Sequence, residues 1–353
     1  MGPAVLLTAV VKADAYGHGV VAVARCALES GADRLAVASP AEGSALRRAG
    51  LSAPILVLGP TPPNYAADAV THSLTVTVNS LALAQALSAA ASYAGRPIQI
   101  HVKVDTGMGR YGLLPDEVLP FVQAVSSLPG IVVEGLWTHF ATSDEEDDTY
   151  LRRQLATLLD VDHRLQTNGI RVPLRHCANS AAALRYPATR LDMVRCGLVL
   201  YGLYPGEACK GLVDLRPVMS LKSTVCRLRW LPAGSSVSYG RTFTTVKPTL
   251  VAFMPMGYAD GLRRALSNRG TVLVRGQRVP LIGRICMDGC MADVSMSQGV
   301  QEGDEVVFLG RQGQDRITAD EIADLLGTIA YEVVTAVGPR VPRVYVQGGR
   351  MAQ

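Results

Sequence analysis

Between residues 5 and 202, eight short apolar or β-branched runs alternate with helix-like stretches, and this alternation leaves few folds open to the chain. The runs are VLLTAVV (5–11), RLAVAS (34–39), PILVLG (54–59), SLTVTV (73–78), IQIHVKVD (98–105), IVVEGLWTHF (131–140), PLRHCANS (173–180) and MVRCGLVLYG (193–202). Segments between them, such as AEGSALRRAG (41–50) and DTYLRRQLATLLDVDHRLQTNG (148–169), carry alanine, leucine and charge at helical spacing. Parallel strands cannot be joined by a tight turn and need a crossover, which such helices supply. Eight strand–helix repeats predict an α/β fold, an N-terminal (β/α)8 TIM-like barrel. After about residue 215 the texture changes to valine- and threonine-rich alternation broken by glycine and proline, as in TVLVRGQRVPLIGRICMDG. That pattern predicts a C-terminal, mainly antiparallel β domain, drawn as a small barrel, with one helix at TADEIADLLG (318–327). The expected domains are 1–213 and 214–353.

With 353 residues and 48% hydrophobic side chains, the chain can bury a core in each of two domains. Its net charge of +4 is small, and no basic run interleaved with aromatics points to nucleic acid. No apolar run reaches the roughly 18 residues that a membrane-spanning helix needs. The opening MGPAVLLTAVVK has no basic stretch ahead of its apolar residues, which disfavours a signal peptide. Seven scattered cysteines, with no CxxC pair, argue against a disulfide framework or a metal site. Reduced thiols in a cytoplasmic protein are expected.

Candidate chemistry gathers where the predicted strands end, the face on which barrels of this kind carry their sites. The segment AVVKADAYGHG (9–19) closes the first strand with Lys12 and follows it with Tyr16 and two glycines. Burial penalises a charged lysine and lowers its pKa, which makes the amine a nucleophile able to form an imine. A surface lysine just past a strand is the plainer alternative. Arg110 follows the fifth strand in KVDTGMGRYG, His139 lies near the end of the sixth, and Asn179 and Ser180 end the seventh. Arg195 lies on the eighth, followed by Gly197. Singly, His139 could be a hydrogen-bonded core histidine, Ser180 a helix cap, and Arg195 the partner of Asp192. Convergence on one rim is harder to assign to packing. A serine opening a helix after strand seven and a glycine on strand eight suit a phosphate. Together with the lysine they point to pyridoxal 5'-phosphate (PLP).

AVVKADAYGHG, KVDTGMGRYG, WTHFATSDE, HCANSAA, VRCGLVLYG, VSYGRTF, MGYADGLRR, GRICMD and RVPR follow one another along the chain. In these segments the sequence resembles the alanine racemases, fold-type III PLP enzymes, over nearly its whole length. The resemblance implies that Lys12 holds the cofactor covalently and serves as the base on the D-face. Tyr239 would be the opposing base on the L-face, supplied by the partner subunit of a homodimer. Arg195 would face the pyridine nitrogen, supported by His139, and would leave that nitrogen unprotonated. Tyr16, Ser180 and the backbone at Gly197 and Leu198 would hold the phosphate, with Asn179 beside them. Arg110 would bridge the cofactor phenolate and Tyr239, and Lys103 matches a lysine that is often N-carbamylated and steadies that arginine. Met287 would offer its backbone N–H to the substrate carboxylate, and Tyr258 would line the substrate channel. The implied activity interconverts L-alanine and D-alanine, supplying D-alanine for peptidoglycan.

Two departures stand out. Members of that family carry a strand and a helix ahead of the lysine strand, whereas here eleven residues precede Lys12, so that segment is expected to be missing, as from a misassigned start codon. A tyrosine usual just before the RVPR motif is replaced by Gly338-Pro339. A serine or broad-specificity racemase is the alternative enzyme, since methyl and hydroxymethyl pockets differ by little energy. A non-catalytic PLP-binding protein is the alternative of a different class.

Overall fold

The computed structural model describes residues 5–347 and 350–351. By its contacts the chain divides into two units, Met1–Ala15 with Gly19–Arg216 and Tyr16–His18 with Pro217–Gln353.

The first unit is the eight-stranded parallel sheet that the alternation predicts. Its strands are β1 (Leu6–Val10), β2 (Arg34–Val37), β3 (Ile55–Val57), β4 (Thr75–Val78), β5 (Ile98–Lys103), β6 (Ile131–Trp137), β7 (Leu174–His176) and β8 (Met193–Cys196). They run in the order β7-β6-β5-β4-β3-β2-β1-β8. Thr8 of β1 lies opposite Arg34 of β2 on one side and Arg195 of β8 on the other. Between β7 and β8 the ring is bridged by backbone hydrogen bonds from Asp192 N–H to the Arg175 carbonyl (3.2 Å) and from Arg195 N–H to the Ala178 carbonyl (3.0 Å).

Local signals set the crossover helices. Pro40–Arg48 opens on a capping box between Ser39 and Glu42, and Leu81–Ala94 starts on a Ser80 cap and stops at Gly95, where φ is 64°. Along the strands, Val102, Leu136, Cys177 and Val194 pack outward against Val118, Val122, Leu158, Leu165 and Ala182 of the helices. The alternate positions His101, Lys103, His176 and Arg195 are buried and polar. Strands buried on both faces usually read as unbroken apolar runs, so these polar positions mark a barrel interior built for something besides packing.

In the second unit, Arg227–Leu231, Thr249–Met254 and Cys290–Asp293 form one antiparallel sheet. Leu221–Thr224, Thr271–Val274, Gln277–Pro280, Glu305–Gln312 and Asp315–Ile317 form another. They enclose a core of Ala252, Met254, Val272, Val274, Ala292, Val306 and Phe308. The two sheets share that core and are joined at one edge by the isolated bridge Leu281–Ala292 and the Ile282 N–H bond to the Met291 carbonyl (2.9 Å), so the strands are assigned to two sheets where a single small barrel was expected. Alternation fixes which face of a strand is buried but not whether the sheet closes. The helix expected at 318–327 is Ala319–Leu326, capped by Thr318 and ended by Gly327. A second helix, Ala330–Thr335, follows it and was not expected. No described helix is long and apolar enough to cross a membrane.

Candidate active site

Lys12 stands where β1 gives way to a left-handed turn. Ala13, Asp14, Ala15 and Tyr16 have φ values of 53°, 52°, 53° and 54°. For residues with a Cβ that conformation costs about 1–2 kcal/mol each, so the surroundings must hold it. Glu42 Oε1 accepts the Ala13 N–H at 2.8 Å, Asp14 Oδ1 accepts the Val20 N–H at 2.7 Å, and the Ala15 N–H donates to the Val11 carbonyl at 2.9 Å. Lys12 is partly buried, and its amine lies below the usual lysine range. Burial is the main cause, with the charges of Arg110 and Arg195 adding to it against the opposing pull of Glu42.

Arg195 is buried, and both of its Nη atoms are hydrogen-bonded. Nη1 donates to His176 Nδ1 at 2.8 Å, and Nη2 reaches the Thr138 carbonyl at 3.0 Å, His139 Nδ1 at 3.2 Å and the Cys177 carbonyl at 3.2 Å. Its guanidinium lies 4.7 Å from the centre of the Trp137 ring. Asp192, its sequence-adjacent alternative partner, is paired with Arg175 at 2.8 Å instead. Burial pushes Arg195 down to about 10, so it stays cationic at neutral pH. His139 is held well below its ordinary range by burial and then by Arg195, Arg110, Lys12 and Lys103, so its ring is neutral.

Lys103 is buried, its ammonium 4.0 Å from the centre of the Tyr111 ring and donating to the Tyr111 carbonyl. Burial lowers it to about 8, with Arg110 and Arg195 adding to the effect and Asp105 opposing it. Arg110 is exposed, 5.8 Å from the same ring. The rim thus gathers Lys12, Lys103, Arg110 and Arg195, against Asp105 and Glu42.

After β7 the roles of two neighbours differ from the plainer sequence reading. Asn179, not Ser180, caps the helix Ser180–Arg185, accepting the Ala182 N–H at 3.0 Å while its amide bonds Ser143. Ser180 Oγ is left to accept the Gly197 N–H at 2.8 Å, which ties the start of that helix to the end of β8. Leu198 opens the 3-10 turn Leu198–Tyr201 behind Gly197 and is buried.

The remaining candidates lie in the second unit. Tyr239 is 72% exposed, on a turn where Ser238 and Gly240 have φ values of 64° and 71°. Met287 is 52% exposed and Tyr258 42%. The Tyr16 ring is buried, its hydroxyl pushed up to about 12 by that burial, and lies 6.1 Å from the ring of Tyr331. The Gly338-Pro339 segment has no room for a larger residue at 338, where a Cβ would fall 2.7 Å from the Ala259 carbonyl oxygen. Arg340 beside it pairs with Asp260 at 2.6 Å and Asp288 at 2.8 Å.

Sequence reasoning missed His101, Glu134 and His176, which stand beside Arg195 or in line with it. The signal was a charged or titratable residue inside an apolar strand, as in IVVEGLW and IQIHVK.

Comparison with known proteins identifies the family. The family model for the alanine racemase N-terminal domain matches residues 1–205, and that for the C-terminal domain matches 218–345. The alanine racemase of Desulforamulus reducens is 49% identical over 348 residues, covering 98% of this chain and 93% of the relative. That of Desulfosudis oleivorans is 50% identical over 360 residues, covering 99% and 92%. Among solved structures, the alanine racemase of Clostridium difficile 630 superimposes with a TM-score of 0.96 at 38% identity, over 100% of this chain and 92% of that one. The Bacillus anthracis alanine racemase with bound L-Ala-P gives 0.94 at 37%, over 100% and 91%. This chain belongs to the alanine racemase family.

Proposed function

We propose that this protein interconverts L-alanine and D-alanine with PLP as cofactor, as a homodimer in which each subunit's Tyr239 serves the other's Lys12. The observation that carries this reading is the set of three basic residues, Lys103, Arg110 and Arg195, that share a rim with Lys12, whose own amine is biased toward its neutral form. Such a rim suits an anionic ligand bearing both a phosphate and a phenolate, and an amine whose pKa is lowered by burial suits an aldehyde. The residues present therefore fit PLP. Lys12 would take the covalent link, Arg195 would face the ring nitrogen, His139 would support Arg195, and Ser180, Gly197, Leu198 and Tyr16 would hold the phosphate. Asn179 supports that phosphate corner by fixing the helix start.

When bound, PLP supplies the conjugated ring that acidifies the alanine Cα–H. Racemisation then needs a proton removed on one face and delivered on the other, so two acid/base groups are the direct solution. Lys12 Nζ accepts or donates the proton on the D-face, and the Tyr239 hydroxyl does so on the L-face. Arg110 would bridge the cofactor phenolate and the Tyr239 hydroxyl. Arg195 offers only donors, so it would hydrogen-bond the ring nitrogen without protonating it. Met287 N–H orients the substrate carboxylate, and Tyr258 lines the approach. The Lys103 amine, at about 8, is neutral often enough to add to CO2, forming an N–C bond and releasing its proton to water; the carbamate steadies Arg110.

The test is D-alanine formation from L-alanine in deuterated buffer with added PLP, following chirality and Cα deuterium together. Inversion with deuterium uptake is expected, and Tyr239→Phe should abolish inversion while leaving cofactor binding nearly intact. Full activity in that variant sinks the two-base assignment.

A further inference from the structure

Behind Arg195 a line of buried polar side chains crosses the barrel interior, and the reaction as proposed makes no use of it. His176 takes the Arg195 Nη1 hydrogen at Nδ1, and its Nε2 lies 2.9 Å from His101 Nδ1. His101 Nε2 lies 2.9 Å from Glu134 Oε2, and Glu134 takes the fork of Arg34 at 2.8 and 2.9 Å. Both rings are fully buried.

Only one placement of protons satisfies this line. Arg195 can only donate, and an ionised Glu134 can only accept. His176 Nδ1 must then be bare, with its proton on Nε2, and that proton goes to a bare His101 Nδ1. The His101 proton sits on Nε2 and goes to Glu134. Burial holds both rings below the ordinary histidine range, so each carries one proton. Burial alone would raise Glu134, but the hydrogen bonds and charges of His101 and Arg34 outweigh it and hold the carboxylate at about 2.

The backbone is shaped to this line. The β5–β6 register passes from Ile100 opposite Val133 to His101 opposite Gly135, which leaves Glu134 as the extra residue of a bulge. A Cβ on Gly135 would stand 2.5 Å from the His101 ring, so only glycine fits there. Trp137 stacks on His176 with centroids 5.5 Å apart and planes 8° from parallel. An apolar interior would avoid the desolvation cost of these groups and would need neither the bulge nor the glycine.

We propose that Glu134, His101 and His176, anchored by Arg34, form a one-way hydrogen-bonded chain that holds Arg195 in place and draws off part of its positive charge, as positioning residues for the reaction. The carboxylate polarises both rings in one sense, which makes His176 Nδ1 a stronger acceptor toward Arg195. With glutamine at 134, the side-chain amide can donate to His101 Nε2. Both ring tautomers then invert until His176 turns an N–H toward an Arg195 N–H.

The proton assignment stands independently; the kinetic consequence rests on the racemase reading above. The test is 15N-histidine NMR of the full-length holoenzyme, whose six histidines keep the spectrum tractable. Wild type is expected to show His101 and His176 neutral and protonated at Nε2. Glu134→Gln should invert both rings and lower kcat about tenfold, with KM for alanine within about twofold, because a lost charge-assisted bond acts through Arg195 and not on substrate. Glu134→Asp, which keeps the charge, should restore the tautomers and most of kcat. An Nδ1-protonated or doubly protonated ring in wild type overturns the chain, even if Glu134→Gln does not fold. Unchanged kcat in a folded Glu134→Gln overturns the positioning role. A wild-type enzyme that does not racemise alanine refutes the functional reading and leaves the NMR result standing.

Discussion

Lys103 is a buried lysine whose folded pKa, about 8, lies below its ordinary 10.5 because burial disfavours the ammonium. Between those values the unfolded chain binds a proton that the folded chain has released, so stability must rise with pH across that window. Below about pH 8 the charge is carried in both states and its burial counts fully against the fold. Thermal melts in CO2-free buffer at pH 7.5 and 9.5 should therefore show wild type gaining on Lys103→Met at the higher pH. Bicarbonate should remove the difference by converting the amine to its carbamate. A constant gap between the two proteins in CO2-free buffer would show that Lys103 is not perturbed. In the sequence, KVDTGMGRYG marked this residue only through family likeness. Its depressed pKa comes chiefly from burial, with Arg110 of the same segment and the distant Arg195 adding to it, and no local pattern reports that burial.

The left-handed turn after β1 shows what an element's sequence can hide. Ala13 to Tyr16 contain no glycine, so nothing in KADAY announces positive φ, and alanine there reads as helix-forming. In a right-handed helix Ala→Gly costs about 1 kcal/mol, whereas in the left-handed region glycine removes the Cβ clash. Ala13 is exposed and holds Glu42 through its backbone N–H alone, so Ala13→Gly deletes no buried methyl. That substitution should stabilise the protein by about 0.5–1 kcal/mol, measured by denaturant unfolding. A loss of about 1 kcal/mol would mean the turn is right-handed in solution. The same blindness explains Ser180 and Asn179, since NSAAAL permits either residue to cap and the Gly197 N–H decided by taking Ser180 Oγ.

At the scale of the whole molecule, Tyr239 stands 72% exposed on a turn, which suits a residue offered to another copy of the chain. Lys12→Ala and Tyr239→Phe homodimers should each be inactive. Subunits of the two variants co-expressed in equal amounts should recover about a quarter of wild-type activity, because about half the dimers are mixed and each mixed dimer holds one complete site. If Tyr239 serves its own subunit, no mixed dimer has a complete site and the recovered activity is nil.

The sequence by itself determined the strand–helix alternation, the all-β texture beyond residue 215 and the residues at the strand ends. Those depend on periodicity and side-chain type, which are local. Tertiary structure alone decided the left-handed turn, the partnership of Asp192 with Arg175, and the line from Arg34 through Glu134, His101 and His176 to Arg195. Each depends on which buried donor meets which buried acceptor once distant strands share one interior. A buried polar group must find its partner there or forfeit its solvation, and residues 34, 101, 134, 176 and 195 become neighbours only when the barrel closes.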